Sequence, residues 1–400
     1  MRSVVIWGLL TFCMVSGAMA QVSDDVIKIG ILNDQSGIFA DITGIKSVEA
    51  AKMAIEDFGG TVLGKRIELV TANHQNKTDI ASLISRKWFD DENVDAIADL
   101  TGSGVALAVQ EVARSRKKVL ITASAATSDL YGKACSPTTA QFSYDTYSVA
   151  KITGQEMAKQ DGKTWFFITA DYAYGHAMQR EATQFIEAAG GKVVGSVKFP
   201  LGTSDYSSFL LQAQGSKAQI IGLATAGADT INTVKQALEF KITGSGQRLG
   251  GMIIYINEID DLGLDVAKGL VFTTTFYWDL NEETRAWTNR FLKRTGGSRP
   301  PNLVNAGLYA GILHYLKAIE SAKTDDGEAV SKKMRELPVN DFYNKNVRLR
   351  QDGRVLHKVY LVEVKDPKES KYKFDYYKIL NSVAGEDAYR PEGECMVSSK

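Results

Sequence analysis

Short apolar runs alternate along this chain with helical patterns, and the alternation begins afresh after Phe142. Val26–Leu32, Ile67–Ala72, Ala96–Leu100 and Val119–Thr122 read as strands, the last two as fully buried ones of the kind found in parallel sheets covered by helices. Between them, Thr43–Phe58 places Val48, Ala51, Ile55 and Phe58 on one helical face, and Asp79–Asp90 does the same with Ile80, Leu83, Ile84 and Trp88. A β-α-β-α order of this kind predicts a doubly wound parallel sheet. The second round has strands at Trp165–Thr169, Val193–Lys198, Gln219–Leu223, Met252–Ile256 and Leu270–Thr275. Its helices are expected at Thr146–Lys159, Gly175–Ala189, Tyr206–Gln214 and Asp229–Phe240. A second α/β lobe on the plan of the first is therefore expected. Helices at Glu282–Arg294, Asn305–Glu320 and Glu328–Glu336 follow. The short strands Asn346–Leu349, Val359–Val364 and Tyr376–Leu380 then read as sheet edges or crossings between lobes.

Two loops stand out at the ends of buried strands: Leu100-Thr101-Gly102-Ser103-Gly104, and Ala123-Ser124-Ala125-Ala126-Thr127-Ser128. Small residues let a backbone approach a bound group, and hydroxyls with free N–H groups at a helix start suit an anion. In an open α/β sheet both loops fall at the carboxyl edge, where ligands bind. Each taken alone also reads as an ordinary capped strand–helix turn.

The amino terminus reads as an export signal. Arg2 is the basic start, Val4–Val15 is an apolar stretch too short to span a bilayer, and Ala18-Met19-Ala20 is a cleavage site, so the mature chain is expected to begin at Gln21, exported and soluble. Removing Cys13 with the leader leaves Cys135 and Cys395, a candidate disulfide in an oxidising compartment that ties the C-terminal tail to a loop of the first lobe. Lys and Arg balance Asp and Glu to a net charge of zero, which favours neither nucleic acid nor an anionic membrane as partner.

Catalytic and metal signatures are missing. The four histidines, His74, His176, His314 and His357, are scattered without ligand spacing. Leu107 stands where a dinucleotide fingerprint needs glycine, and Thr101 where a nucleophile elbow needs one. No cofactor is expected, and an enzyme ranks last among the readings. Two lobes around a cleft suit a ligand receptor that closes by a hinge.

Several stretches resemble the branched-chain-amino-acid type of periplasmic solute-binding protein: Ile27–Leu32, the Ser36-Gly37 loop, Leu120–Thr127 with its Ala-Ala-Thr, and Asp171-Tyr172-Ala173-Tyr174-Gly175. These proteins are the extracytoplasmic receptors of ABC importers. The resemblance implies the type I fold, two Rossmann-like lobes joined by three crossings, with a first lobe of 24–144 plus 275–345 and a second of 145–274 plus 346–400. It implies a carboxylate held by Ser103, Gly104, the backbone of Ala125, and Thr127, with Tyr174 closing from the other side. It also implies a monomer in the periplasm that delivers its ligand to an inner-membrane permease.

Amino-acid binders of this family set an acid or aromatic after the later second-lobe strands to receive the ammonium group. Here those loops read Ala224-Thr225-Ala226-Gly227-Ala228-Asp229 and Ile254-Tyr255-Ile256-Asn257-Glu258. Small residues leave room for a bulky flat ligand, and Phe39, Tyr174 and Tyr255 offer stacking walls, with Tyr277 and Trp278 either cleft or core. Thr225, Ala226, Asp229 and Tyr255 thus join the candidate site. Thr273–Asn281 and Asn305–Tyr309 resemble the branch that takes up aromatic carboxylates such as benzoates and phenylpropenoates. Two alternatives stay open: a branched-chain amino acid or amide, with Asp229 or Glu258 receiving the amine, and a ligand sensor that reports to a membrane receptor.

Overall fold

A computed structural model describes residues 22–160, 162–242, 246–393 and 395; the export signal expected over 1–20 lies outside them. Two sheets organise these residues. The first holds β1 (Val26–Asn33), β2 (Thr61–Val62), β3 (Lys65–Asn73), β4 (Ala96–Asp99), β5 (Val119–Thr122) and β6 (Thr139–Gln141) in the order β2-β3-β1-β4-β5-β6. All its pairings are parallel except the short β2–β3 hairpin. Every residue of β4 and β5 is buried, including Asp99 and Thr122 at their ends.

The second sheet holds β7 (Thr164–Ala170), β8 (Lys192–Phe199), β9 (Ile220–Ala224), β10 (Arg248–Gly251), β11 (Val271–Thr274), β12 (Val359–Val364) and β13 (Tyr377–Val383), in the order β13-β12-β11-β10-β9-β7-β8. β7 to β11 are parallel, and β12 and β13 close the edge antiparallel. The architecture is the expected α/β pair of lobes.

Helix Leu303–Ala322 is apolar and buried along most of its length, with Lys317, Glu320 and Ser321 outside the buried set. It packs against helix Gly44–Phe58 and against β4 and β5, returning the chain to the first sheet. Its start is capped by Asn302, whose Oδ1 accepts the N–H groups of Val304 at 2.9 Å and Asn305 at 3.2 Å.

Three local expectations are corrected. The strand expected at Met252–Ile256 is instead Arg248–Gly251, and Ile256–Leu262 is helical. Gly250 belongs to the strand, where a Cβ would lie 3.0 Å from Ile220 of β9 and 3.1 Å from the Trp165 ring of β7. The helix expected over Thr146–Lys159 is interrupted by a π turn at Ala150–Gly154. Asn346–Leu349 forms only isolated bridges, Val339 with Val347 and Leu349 with Val355. Among the described residues no helix is long and apolar enough to cross a membrane.

The tail comes back to the first sheet's side. Cys395 is bonded to Cys135, with Cα atoms 5.6 Å apart. Arg390 donates to Ser128 Oγ at 2.7 Å and lies 3.3 Å from Glu181 of helix Ala173–Ala188. The tail therefore touches elements of both lobes.

Candidate functional site

The parallel strands of the first sheet bring the loops after β1, β4 and β5 to one edge. The loop after β4 takes a strained path. Asp99, Leu100 and Gly102 have φ of +80°, +60° and +88°, a region that costs a side chain about 1–2 kcal/mol. Asn33 Nδ2 donates to Asp99 Oδ2 at 3.0 Å, and the Asp99 carbonyl accepts the Ala123 N–H at 3.2 Å and the Ser124 hydroxyl at 3.2 Å. This binding starts helix Ser103–Ser115 at the cleft, with its unpaired first-turn N–H groups at that end. Ser103 Oγ accepts the Thr127 N–H at 3.1 Å. That bond joins the two small-residue loops and leaves the Ser103 hydroxyl proton free to donate.

The facing wall comes from the second sheet. Tyr174, in the first turn of helix Ala173–Ala188, donates to the Thr225 carbonyl at 3.3 Å. Tyr172 lies between Tyr174 and Phe39, with ring centroids 5.6 Å and 6.3 Å away. The loop after β9 turns at Gly227, whose φ is +67° and whose Cβ would lie 2.6 Å from the Ile38 carbonyl oxygen; only glycine lets the two lobes meet there. Arg299 adds a polar link between lobes, reaching Asp261 at 3.0 Å and Asp41 at 3.2 Å. Asn302 adds another, donating to the Ile42 carbonyl at 2.9 Å and to Asn257 at 3.2 Å.

Of the expected residues, Phe39, Ser103, Tyr174, Ala226 and Tyr255 line one cleft together. Ile42, Thr101, Gly102, Ser124, Ala126, Tyr144 and Tyr172 complete it. Gly104, Ala125, Thr127, Thr225 and Asp229 stand behind this lining. The Ala125 carbonyl accepts Gln141 Nε2 at 2.7 Å, Thr127 Oγ1 accepts the Asp129 N–H at 3.3 Å, and Thr225 Oγ1 pairs with Thr230 Oγ1 at 2.8 Å. The cleft encloses about 20 Å³, room for about one water. Admitting anything larger requires the lobes and rings to part. A larger hollow of about 280 Å³ lies at the amino ends of the second sheet's strands, among Leu238, Arg248, Leu249, Lys268 and Leu270, away from these loops. Tyr277 and Trp278 lie outside the cleft lining, and both side chains donate to the Phe374 carbonyl, at 3.3 Å and 2.9 Å.

Tyr172 belongs to the Asp171–Gly175 motif, so its neighbour's role could have pointed to it. Tyr144 had no comparable signal, because it follows β6, which is three residues long and barely registers as a strand.

Two acids sit near the facing wall, and both are engaged. Asp229 Oδ1 accepts the Tyr206 hydroxyl at 2.8 Å and the Gly202 N–H at 3.1 Å, and burial pushes its carboxyl above the usual range. Glu258 is fully buried and ties two loops together: Oε1 accepts the Gly227 N–H at 2.5 Å and Oε2 the Tyr255 N–H at 2.8 Å. Burial pushes its carboxyl up to about 8, against the pull of those two N–H groups. A carboxyl raised in this way contributes its full stability below its unfolded value of 4.5 and loses it as pH rises through about 8. The melting temperature of wild type relative to Glu258→Gln is therefore expected to fall between about pH 5 and 8. A difference independent of pH over that window would contradict this.

The chain matches the periplasmic binding protein family over residues 26–371. It is 44% identical to a periplasmic binding protein from Burkholderia mallei, with a TM-score of 0.90, covering 92% of this chain and 97% of that one. It is 38% identical to a branched chain amino acid ABC transporter periplasmic ligand-binding protein from Burkholderia xenovorans LB400, with a TM-score of 0.81 and coverage of 91% and 97%. A solute binding protein of an ABC transporter from Rhodopseudomonas palustris BisB5, in complex with 3,4-dihydroxy benzoic acid, shares the fold at 22% identity, with a TM-score of 0.82 and coverage of 90% and 98%. The chain belongs to the periplasmic binding protein family, as a solute receptor of the branched-chain-amino-acid type of ABC transporter and not an enzyme.

Proposed function

We propose that this receptor captures a small aromatic carboxylate, of the benzoate, hydroxybenzoate or phenylpropenoate kind, and presents it to an inner-membrane permease. In this reading it is exported to the periplasm with its leader cut after Ala20 and acts as a monomer. The lobes are 24–144 plus 275–345 and 145–274 plus 346–400, and they close over the ligand by a hinge. The third crossing is spread over about 346–358, where Arg354 bridges to Gln141 of β6.

The observation that carries this reading is the division of labour in the cleft. The Ser103 hydroxyl, with its proton free, stands at the helix start on one side, while Phe39, Tyr144, Tyr172, Tyr174 and Tyr255 supply rings. A carboxylate accepts a bond from such a hydroxyl and gains from the helix terminus. The ammonium group of an amino acid needs an acid, and Asp229 and Glu258 already hold N–H and O–H donors. Gly104, Ala125, Thr127 and Thr225 act from behind the lining, by holding its loops in place.

A thermal-shift panel tests this. Benzoate, hydroxybenzoates and cinnamate are expected to stabilise the protein, by about 2.7 kcal/mol at a hundredfold excess over Kd. Leucine and valine are expected to leave it unchanged; stabilisation by these two alone would support the amino-acid reading instead. Ser103→Ala is expected to weaken binding of the aromatic acid by about 1–3 kcal/mol, the cost of leaving a buried charged acceptor short of a donor. Wild-type affinity in that variant, measured by calorimetric titration, would contradict the carboxylate assignment.

A further inference from the structure

Tyr144 and Tyr255 face each other across the cleft and share a hydrogen bond between their hydroxyls. Their rings meet edge to face, with centroids 6.0 Å apart, and both side chains are buried. Tyr144 belongs to the segment that leads out of β6, and Tyr255 to the loop after β10, so the bond joins the two sides of the cleft. The Tyr144 hydroxyl also lies 3.5 Å from the Ser124 carbonyl, at the long limit of a hydrogen bond.

Both backbones are pinned. The Tyr144 carbonyl accepts Arg354 Nη1 at 3.3 Å and Gln141 Nε2 at 3.3 Å, and Arg354 Nη2 donates to the neighbouring Ser143 carbonyl. The Tyr255 N–H is held by Glu258. The hydroxyls are therefore presented at fixed places, and neither ring can leave the cleft without disturbing buried bonds.

The cleft's free volume of about 20 Å³ cannot admit a ring while these two hydroxyls touch. An entering ligand must part them, and each then needs a new partner in a buried setting. A ligand whose only polar group is a carboxylate spends it at Ser103 and the start of helix Ser103–Ser115. A ring hydroxyl both donates and accepts, which matches a pair in which one tyrosine donates and the other accepts. We infer that Tyr144 and Tyr255 form a specificity pair that selects aromatic carboxylates bearing a second, hydroxyl group on the ring. The inference rests on the aromatic-carboxylate reading above and narrows it. Rejection of the analogue that lacks the hydroxyl follows from the same physics: a site built to bond a hydroxyl is penalised when the hydroxyl is absent.

Calorimetric titration of benzoate, meta-hydroxybenzoate and para-hydroxybenzoate into wild type, Tyr144→Phe and Tyr255→Phe tests it, with melting curves to show that each variant folds. Wild type is expected to bind at least one hydroxybenzoate more than about tenfold tighter than benzoate. Each Phe variant is expected to shrink that ratio, partly by binding benzoate better. Equal wild-type affinity for benzoate and both hydroxybenzoates overturns the specificity pair and leaves the aromatic reading standing. So does a ratio unchanged in both variants. If no aromatic acid binds and leucine does, the aromatic reading fails and the pair falls with it. The wild-type ratio decides the matter even if a variant does not fold.

Discussion

Replacing Arg354 with methionine is expected to lower the free energy of unfolding by about 3–5 kcal/mol, the scale for breaking a buried ion pair from one side. Arg354 is fully buried, and its guanidinium is the common partner of several groups that have no access to water. It lies 3.6 Å from Asp145, donates to the carbonyls of Ser143, Tyr144 and Val355, and sits over the Tyr389 ring at 4.1 Å. Methionine fills much of the volume but leaves the buried Asp145 to the Tyr131 hydroxyl at 2.6 Å and the Ser148 N–H at 2.7 Å, without the guanidinium. It also leaves two carbonyls on the chain that carries Tyr144 short of a donor. Urea unfolding should show a lower midpoint at unchanged slope. An exposed pair such as Lys117–Glu328 offers the contrast, because its loss is expected to cost less than about 1 kcal/mol. A loss of that small size at Arg354 would mean that its neighbours find other partners.

Breaking the Cys135–Cys395 bond is expected to cost about 2–4 kcal/mol. The bond closes a loop of 260 residues, and the chain-entropy model sets a ceiling above its value of about 4.7 kcal/mol for a 100-residue loop. The observed cost should fall below that ceiling, because the tail is held in other ways. Arg390 reaches Ser128 and Glu181, Arg350 Nη1 donates to the Arg390 carbonyl at 2.6 Å, and Tyr389 packs on Arg354. A Cys135→Ser, Cys395→Ser double variant separates the bond from these contacts, and its melting temperature should match that of the reduced wild type. Equal stability of oxidised and reduced protein would show that the tail's polar contacts suffice.

What the amino-acid sequence discloses and what it hides follow from the range of the forces involved. β4 and β5 are legible because a strand buried on both faces is apolar along most of its length. The loops after them are legible because close approach of backbone demands small residues. β10 is hidden by its own glycines: Gly250 answers to Ile220 of β9 and Trp165 of β7, and Gly251 to Ile254. The Cys135–Cys395 bond was open to reading by count, once the leader was set aside. Tyr144 was not, since its place in the cleft depends on a three-residue strand and on Arg354, more than two hundred positions later. Glu258 shows the same limit from the other side. It stands near the cleft in the chain and so invites a ligand-binding role, but its oxygens face the N–H groups of Gly227 and Tyr255. Direction of a side chain is set by tertiary packing, which spacing alone does not report.

The central claim is that a carboxylate sits at the start of helix Ser103–Ser115 with aromatic walls around its ring. A structure determined with para-hydroxybenzoate bound tests it most directly. The account predicts a carboxylate oxygen within about 3.2 Å of Ser103 Oγ, with the ring between Phe39 and the second-sheet tyrosines. A carboxylate seated away from Ser103, or a ligand touching one lobe alone, would contradict it.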